Sequence, residues 1–498
     1  MGANSSILKK LAGETAIYGV STILARFINF LFLPLYTYYL TTTDYGVLTE
    51  FMAYIAVLQV ALTLGLETGC FRFANKEGAK PVQVFSTALV SVSALSLLFL
   101  LVMIFFGDSI SVAMGYSGYY LCYVYIGLIL SIDSFTAILF AKLRFETKAW
   151  KFAIFKTTKI LTEVGSNVLL FLWFPGFAEA HPDTFLLKFV SATPDFSYPI
   201  FSICVSCVVA LLLFVPDILK LKFDLDAKVW RGLMKYSLPL MIAGLPGVMN
   251  DFLDRILFRY FNVDDTLWRS DLGIYQAAVK VAVIMSLFVQ MFRFAAEPFF
   301  FARARDKGSK ELYAQVMEYF VAFCMLVFLG IIFYIDIIQF VVGADFRVGM
   351  GIVPIMLLAY MMLGMLFNVS MWYKLSDKSS YAIYITLAGL LVTAVVNVVF
   401  LAKYSYWAAA WGHFASYLVM LVISTLLGNK YYRIPYNWGR IFLIIGAGLL
   451  LYGVNLLIPE ALALGWKLAV RSLLVFVYIA GYYLFIKYGS KNSKQVEV

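Results

Sequence analysis

Long apolar stretches alternate with short polar connections along the whole chain. A run of about 20 apolar residues has the length of a helix that crosses a bilayer. The pattern predicts an all-α polytopic membrane protein with about 14 transmembrane helices. These predicted helices, numbered 1 to 14, cover residues 12–39, 46–70, 82–106, 118–141, 150–174, 197–217, 233–260, 272–300, 314–341, 348–373, 380–402, 405–428, 439–458 and 465–487.

Lysine and arginine are concentrated in every second connection between these helices. The opposite connections contain only Lys188, Arg269, Arg347, Lys403 and Lys467. Because an excess of basic residues marks the loops that stay in the cytoplasm, this split predicts cytoplasmic N- and C-termini. We expect a multi-pass protein of the bacterial cytoplasmic (inner) membrane.

The composition and the absent motifs exclude several classes of protein. The 498 residues are 62% hydrophobic and 14% charged, a balance unlike that of soluble globular domains. The net charge of +10 is interpreted as membrane topology, so nucleic acid is not an expected partner. The sequence contains no phosphate-binding G-x-x-x-x-G-K-S/T loop and no cluster of metal ligands. We therefore expect no ATPase, no bound metal and no enzymatic activity.

The first half of the chain is repeated in the second half. Three pairs of segments match in order: 43–47 with 270–274, 72–78 with 301–308, and 142–143 with 374–375. The offset is 227 residues between Asp44 and Asp271, and 230 between Gly78 and Gly308. Six helices per half, an even number, indicate a parallel repeat related by an axis along the membrane normal.

This repeat predicts the domain organisation. The predicted parts are an N-terminal six-helix lobe at 1–217, a cytoplasmic linker at 218–235, a C-terminal six-helix lobe at 236–430, and two additional helices with a basic tail at 431–498. Two such lobes leave a cleft between them, and transporters bind their substrates in clefts of this kind.

Charged and polar residues inside the predicted helices are the candidates for function. An ionisable side chain in hydrocarbon costs at least about 2.5 kcal/mol, so it usually faces a cavity or a partner. We predict a cationic, substrate-binding cleft formed by Arg26, Asn29, Lys159, Arg255 and Lys280. Arg259 and Arg293 lie near helix ends, and we interpret them as side chains that reach the membrane surface.

Acidic residues in the same helices allow two interpretations. They bind a coupling ion, which is a proton or sodium, or they pair with cations for structural reasons. The candidates are Glu67, Asp133, Glu163, Asp251 and Asp254. Asp251 and Arg255 are spaced i, i+4 and illustrate the second interpretation, since such residues share one helix face. No cofactor other than a coupling ion is expected.

Predicted helix 7 contains two prolines, Pro239 and Pro246. Proline removes a backbone hydrogen bond and permits a kink, so these positions are predicted to act as a hinge. Gly65-x-x-x-Gly69 in predicted helix 2 allows another helix to approach closely.

Three segments together resemble the polysaccharide transporter (Wzx-type O-antigen flippase) family of the multidrug/oligosaccharidyl-lipid/polysaccharide (MOP) superfamily. They are residues 40–46 (LTTTDYG), 142–145 (KLRF) and 233–240 (LMKYSLPL). The resemblance implies the movement of undecaprenyl-pyrophosphate-linked oligosaccharides from the cytoplasmic to the periplasmic leaflet. It also implies a central cationic cavity that accepts the pyrophosphate, with Arg26, Arg255 and Lys280 at positions of the matching kind.

The relatives implied by this resemblance include lipid II flippases and multidrug exporters. Lipid II flippases also have fourteen helices, and their last two form a lipid-side groove, so helices 13 and 14 with Arg471 are candidates for such a groove here.

We therefore expect a flippase for lipid-linked oligosaccharide that works by alternating access, coupled to an ion gradient, in surface polysaccharide biosynthesis such as that of O-antigen and lipopolysaccharide. Its expected partners are the lipid-linked substrate, membrane lipids and the polysaccharide polymerase machinery. The alternative is a cation-coupled multidrug or small-molecule exporter. An exporter of cationic drugs needs mainly acidic residues in its cleft, so neutralising Arg26 and Arg255 distinguishes the two hypotheses.

Overall fold

The computed structural model describes residues 27–28, 30–221, 224–261, 267–459 and 461–495, with side chains up to residue 487. Every regular element in these ranges is helical, so the all-α class is confirmed. The helices before residue 262 are α1 (30–39), α2 (Thr42–Thr63), α3 (Leu66–Ala74), α4 (Pro81–Ala113), α5 (Tyr120–Phe145), α6 (Ala149–Val168), α7 (Phe174–Ala180), α8 (Ser197–Ile218) and α9 (Ala227–Phe261). Those after residue 266 are α10 (Trp268–Arg303), α11 (Ser309–Phe333), α12 (Ile335–Ile338), α13 (Val353–Val369), α14 (Met371–Leu375), α15 (Tyr381–Tyr404), α16 (Tyr406–Tyr431), α17 (Trp438–Leu456) and α18 (Leu464–Gln495).

Twelve helical segments within the described residues are long and apolar enough to cross a membrane. Each of the twelve overlaps a predicted transmembrane helix, so the polytopic class is confirmed. Helix α9, with 35 residues, has the necessary length but is more polar than these twelve. Most of predicted helix 1 lies outside the described residues, so the total of fourteen helices stays a prediction.

The chain divides into two compact units. The first unit comprises residues 1–260 and 264–273, and the second comprises 261–263 and 274–498. Helix α9 therefore belongs almost entirely to the first unit. The predicted lobe boundaries at 217 and 235 stay a prediction.

In each unit we call "the basic end" the end of the helices that carries the lysine- and arginine-rich loops. These loops, which together with the adjoining helix ends carry the basic residues, are residues 75–80, 146–148, 219–221 and 224–226 in the first unit, and 304–308, 376–380 and 432–437 in the second. The other end is called "the opposite end". Loop 114–119 lies at the opposite end of the first unit.

The core of the first unit lies between α4, α5, α6 and α8. The ring of Phe140 meets the rings of Phe152 and Phe214 edge-on, with centroids 5.3 and 4.9 Å apart. Ser131 donates a hydrogen bond to the carbonyl oxygen of Ser96 at 2.8 Å, which links α5 to α4. Helices in lipid associate through van der Waals packing of such side chains and through interhelical hydrogen bonds of this kind.

Local signals in the sequence determine where several of these helices begin and end. The Thr41 hydroxyl accepts a hydrogen bond from the amide N–H of Asp44 and thereby caps α2. The carboxylate of Asp226 accepts hydrogen bonds from the amide N–H groups of Lys228 and Val229 and caps α9 in the same way. Between α2 and α3 the chain takes left-handed backbone angles at Leu64 and Gly65, with φ values of 52° and 65°.

The Gly65-x-x-x-Gly69 segment packs closely against α9, as its sequence predicts. A Cβ atom at Gly69 would lie 2.1 Å from the Ser237 hydroxyl oxygen, and one at Gly65 would lie 2.7 Å from the Ser237 carbonyl oxygen. Any larger side chain at either position would push the two helices apart.

In the second unit, α13 is buried on most sides, in agreement with its uniformly apolar sequence. Helices α17 and α18 are held against α11 by polar contacts. Arg471 of α18 donates to the carbonyl oxygen of Phe333 at 3.1 Å, to Asp336 at 2.6 Å and to the side chain of Asn455 at 2.8 Å. Tyr478 donates to the carbonyl oxygen of Ala322 at 3.0 Å. The two C-terminal helices are thus an integral part of the second unit.

We predict that Arg471→Ala destabilises the protein, because it leaves the Asp336 carboxylate without its cation in an apolar setting. The loss should stay below the ~3–5 kcal/mol typical of a fully buried pair, because the Asp336 side chain is 30% exposed. Thermal unfolding of the purified protein measures this loss, with Lys467→Ala on the same helix as the control. Equal unfolding temperatures for the two variants would show that Arg471 does not hold α18 in place.

Candidate functional site

The predicted cations have different environments. Arg26 and Asn29 lie outside the described residues. Arg255 is 7% exposed in α9, and it donates a hydrogen bond to Asp254 at 3.2 Å and another to the backbone carbonyl oxygen of Asp251. Lys280 lies in α10, in the second unit, and is half-buried. The structure thus brings Arg255 together with two predicted acidic residues.

Lys159 and Asp133 form an ion pair between α6 and α5. Cys207 of α8 contributes a thiol 3.4 Å from the Asp133 carboxylate. The ammonium group of Lys156 lies 4.3 Å from the centre of the Phe140 ring. A predicted substrate-binding cation and a predicted ion-coupling acid are therefore direct partners, and this mutual neutralisation lowers the cost of placing both in the membrane.

The remaining predicted acids lie at two separate places in the first unit. Glu67 of α3 pairs with Arg144 of α5 at 3.0 Å, at the basic end. The backbone carbonyl oxygen of Glu163 accepts a hydrogen bond from Asn167, whose side-chain oxygen accepts the Tyr36 hydroxyl at 3.1 Å. These contacts connect α6 with α1.

The predicted hinge prolines, Pro239 and Pro246, both lie inside α9, which continues as one helix from Ala227 to Phe261. Their role as a hinge stays a prediction.

A buried charge cluster at the opposite end of the first unit was not predicted as a site. Glu50 of α2 is fully buried and accepts a hydrogen bond from Arg259 of α9 at 2.8 Å. Arg259 also donates to the carbonyl oxygen of Met114 at 2.9 Å. The Tyr116 hydroxyl donates to the same carboxylate. Arg259 is therefore paired with protein groups near the helix end, and its contact with the membrane surface stays a prediction.

Aromatic rings surround this cluster. The guanidinium of Arg259 lies 4.9 Å from the centre of the Trp268 ring, and that of Arg269 lies 4.8 Å from the same ring. Burial, together with the neighbouring Glu50 carboxylate, raises the pKa of Tyr116 well above its ordinary value. Tyr116 therefore remains a hydrogen-bond donor at physiological pH. The carboxylate of Glu50, in the apolar sequence of predicted helix 2, was the signal for a buried cationic partner.

Beside this cluster, the two copies of the repeated 43–47 motif pack against each other. A Cβ atom at Gly46 would lie 1.7 Å from the carbonyl oxygen of Arg269, and one at Gly273 would lie 2.0 Å from the carbonyl oxygen of Thr42. The Ser270 hydroxyl donates to that of Thr42 at 2.8 Å. The contacts are reciprocal, since Gly46 with Gly273 and Thr42 with Arg269 both differ by 227 residues. We call this contact the glycine crossing.

An apolar groove lies between α17 and α18. The groove, of about 390 Å³, is lined by side chains of both helices, including Leu450, Leu451, Tyr478 and Phe485. Within the described residues, no group of three or more histidine, cysteine or acidic side chains is placed to hold a metal ion.

The model of a family described as "Polysaccharide biosynthesis protein" matches residues 11–304. No curated protein sequence matches the chain at a significant level.

Several solved structures share the fold. The structure of lipid II flippase MurJ in an inward closed conformation is 14% identical and superimposes with a TM-score of 0.71, covering 95% of this chain and 99% of that chain. An inward-facing multidrug resistance MATE family transporter of the MOP superfamily is 13% identical, with a TM-score of 0.54 and coverage of 85% and 99%. A MATE structure in complex with MaD3S is 14% identical, with a TM-score of 0.56 and coverage of 88% and 97%. The similarity therefore supports a transporter fold of the MOP type.

We predict that Glu50→Gln destabilises the protein more than Tyr116→Phe does. The first substitution leaves the buried Arg259 without a counter-charge, which typically costs ~3–5 kcal/mol. The second removes one hydrogen bond to a charged group, which costs ~1.5–3 kcal/mol. Thermal unfolding measures the loss of stability in each variant, with Glu77→Gln at an exposed position as the control. A Glu50→Gln protein as stable as this control would contradict the prediction.

Proposed function

Because the chain belongs to the family of polysaccharide biosynthesis proteins, we propose that it is a flippase for a lipid-linked oligosaccharide. The proposed substrate carries undecaprenyl pyrophosphate and moves from the cytoplasmic to the periplasmic leaflet of the bacterial inner membrane by alternating access. The observation that carries this proposal is the family match over residues 11–304, since its description concerns polysaccharide. The MOP-type fold is compatible with the movement of a lipid-linked molecule.

The charges of the first unit support an anionic substrate. A pyrophosphate head group is hydrated and cannot cross hydrocarbon without polar partners. Arg255 already holds the Asp254 carboxylate and the Asp251 carbonyl oxygen, so its guanidinium is oriented by acceptors. Phosphate oxygens bind guanidinium groups more strongly than neutral acceptors do, because both partners are charged and the bonds form in pairs. We propose that Arg255, together with Arg26, contacts the head group, and Lys280 stays a separate candidate in the second unit.

The groove between α17 and α18 supports a lipid-linked rather than a water-soluble substrate. Its walls are almost entirely apolar, and it lies on helices that Arg471 fixes to the second unit. We propose that it holds part of the polyprenyl chain while the head group crosses the protein.

The second candidate function is a cation-coupled exporter of small molecules. For either function we propose that a coupling ion exchanges with Lys159 at Asp133, since both charged groups lie in the membrane-spanning part of the first unit. An exporter of cationic compounds would gain from the loss of Arg255, because that change leaves the acidic Asp254 available to the drug.

The experiment that tests the proposed function assigns lipid-linked oligosaccharide to a leaflet in cells depleted of the protein. Accumulation on the cytoplasmic face, with sugar assembly intact, is the expected result. A normal leaflet distribution with unpolymerised repeat units outside would indicate a polymerase instead. The absence of any effect on lipid-linked sugar would favour the exporter.

We predict that Arg255→Ala combined with Asp254→Asn lowers transport ~10- to 100-fold, which corresponds to the loss of about 1.5–3 kcal/mol from a charged hydrogen bond. The double substitution removes both charges and so avoids an unpaired carboxylate. Surface polysaccharide and membrane insertion are measured together, with Arg433→Ala in an exposed basic-end loop as the control. Normal polysaccharide in the double variant would contradict a role for Arg255.

We predict that Asp133→Asn combined with Lys159→Met uncouples transport from the ion gradient. The pair is exchanged for neutral groups of similar size, so folding should be retained. Transport in proteoliposomes is measured with an imposed proton gradient and, separately, with an imposed sodium gradient. If either gradient still drives the variant at the wild-type rate, the coupling site lies elsewhere.

A further inference from the structure

The same ion pair occurs at the basic end of both units. In the first unit, Glu67 of α3 pairs with Arg144 of α5 at 3.0 Å. In the second unit, Glu297 of α10 pairs with Lys374 of α14 at 2.7 Å. Glu67 and Glu297 are 230 residues apart, and so are Arg144 and Lys374. This offset equals that of the matched glycines after predicted helices 2 and 8, so the two pairs occupy equivalent positions of the repeat.

In the second unit the carboxylate lies between two cations, because Glu297 also contacts Arg293, at 3.5 Å. One carboxylate and two cations leave this cluster with a formal charge of +1, so it can accept a further anion. In the first unit the pair of Glu67 and Arg144 is neutral, so an anion can bind Arg144 only if it displaces the carboxylate.

These clusters are accessible, unlike the buried pair at the opposite end of the first unit. The side chains of Arg144 and Glu67 are 38% and 41% exposed, and those of Arg293 and Glu297 are 47% and 33% exposed. Glu50 at the opposite end is 0% exposed. Part of each pair is therefore not covered by protein, so an anion that arrives at the basic end can contact it.

Arg144 has a hydrogen-bond donor that its carboxylate partner does not use, and both arginines are stacked on aromatic rings. The Nε atom of Arg144 is buried and has no hydrogen-bond partner among the described residues. Arg144 lies over the Phe71 ring at 5.5 Å, and Arg293 lies over the Phe367 ring at 4.6 Å. Stacking of this kind fixes the plane of a guanidinium, which prepares it to bind two oxygens of one anion.

We propose that each unit contains a phosphate-binding site at its basic end, in which Glu67 or Glu297 occupies the place of a phosphate group. The ligand class is the diphosphate of a polyprenyl lipid, an assignment that rests on the proposed function. Arriving phosphate displaces the carboxylate from Arg144 in the first unit, and from Lys374 and Arg293 in the second. The carboxylate thereby shields the cations in the empty protein and competes with the ligand.

Competition by the carboxylate leads to a specific test with purified, full-length protein. The probes are inorganic pyrophosphate and farnesyl diphosphate, and the measurement is their dissociation constant. We expect Glu67→Gln and Glu297→Gln to tighten binding ~5- to 10-fold, because each removes the internal competitor. We expect Arg144→Gln and Lys374→Gln to weaken it ~10-fold.

The matched control is Glu318→Gln, which neutralises another carboxylate of the second unit that pairs with Arg440 at 3.6 Å near the basic end. It should leave diphosphate binding unchanged. If Glu67→Gln and Glu297→Gln weaken binding or leave it unchanged, the pairs serve only to join helices and the proposal is overturned. Thermal unfolding of each variant identifies those that fail to fold. If Arg144→Gln or Lys374→Gln fails, Arg144→Lys or Lys374→Arg replaces it, and we expect its affinity for diphosphate to fall ~2- to 5-fold.

Competition with vesicles distinguishes the two sources of phosphate. We expect phosphatidylglycerol vesicles to leave farnesyl diphosphate bound, whereas equal competition would assign the sites to membrane phospholipid and overturn the assignment to the substrate. Because binding is measured without transport, failure of the proposed sites can be distinguished from failure of the proposed function. Altered diphosphate affinity in a protein that flips no lipid would reject the proposed function and not the sites.

Discussion

A charged group inside a membrane protein must have a partner, and this constraint organises the described part of the structure. In the first unit, Asp133 is held by Lys159, Glu50 by Arg259, and Asp254 by Arg255. Each pair joins helices or stiffens one, because an isolated charge in hydrocarbon costs several kcal/mol. An anionic substrate can bind to such cations only by exchanging with the acceptors that already satisfy them.

Exposure differs between the two ends of the first unit, and exchange depends on exposure. At the opposite end, Glu50 and Arg259 are enclosed by Tyr116 and aromatic rings, beside the glycine crossing. At the basic end, Glu67 and Arg144 are only partly covered by protein. A hydrated head group would reach the basic-end pair without disturbing the helix packing, whereas the opposite end would have to separate before the group could leave. The proposed alternating-access cycle makes this separation its necessary step.

The sequence predicted the helices well because membrane thickness dictates the length of each apolar run. The predicted helix at 197–217, for example, agrees with α8 at Ser197–Ile218. Partners across helices were not predictable, since Glu50 and Arg259 are 209 residues apart and sequence spacing identifies only neighbours on one helix, such as Asp251 and Arg255. The repeat was predicted from loops, but the ion pairs refine it: Arg144, rather than Lys142, is equivalent to Lys374.

The most direct measurement is transport by a protein with a cross-link across the glycine crossing. Thr42→Cys and Ser270→Cys place two thiols where the hydroxyls lie 2.8 Å apart. With both single-cysteine variants as controls, we expect oxidation to stop transport of lipid-linked oligosaccharide and to leave it on the cytoplasmic leaflet, and a reductant to restore transport. Undiminished transport by the fully cross-linked protein would contradict a cycle in which this end of the first unit opens.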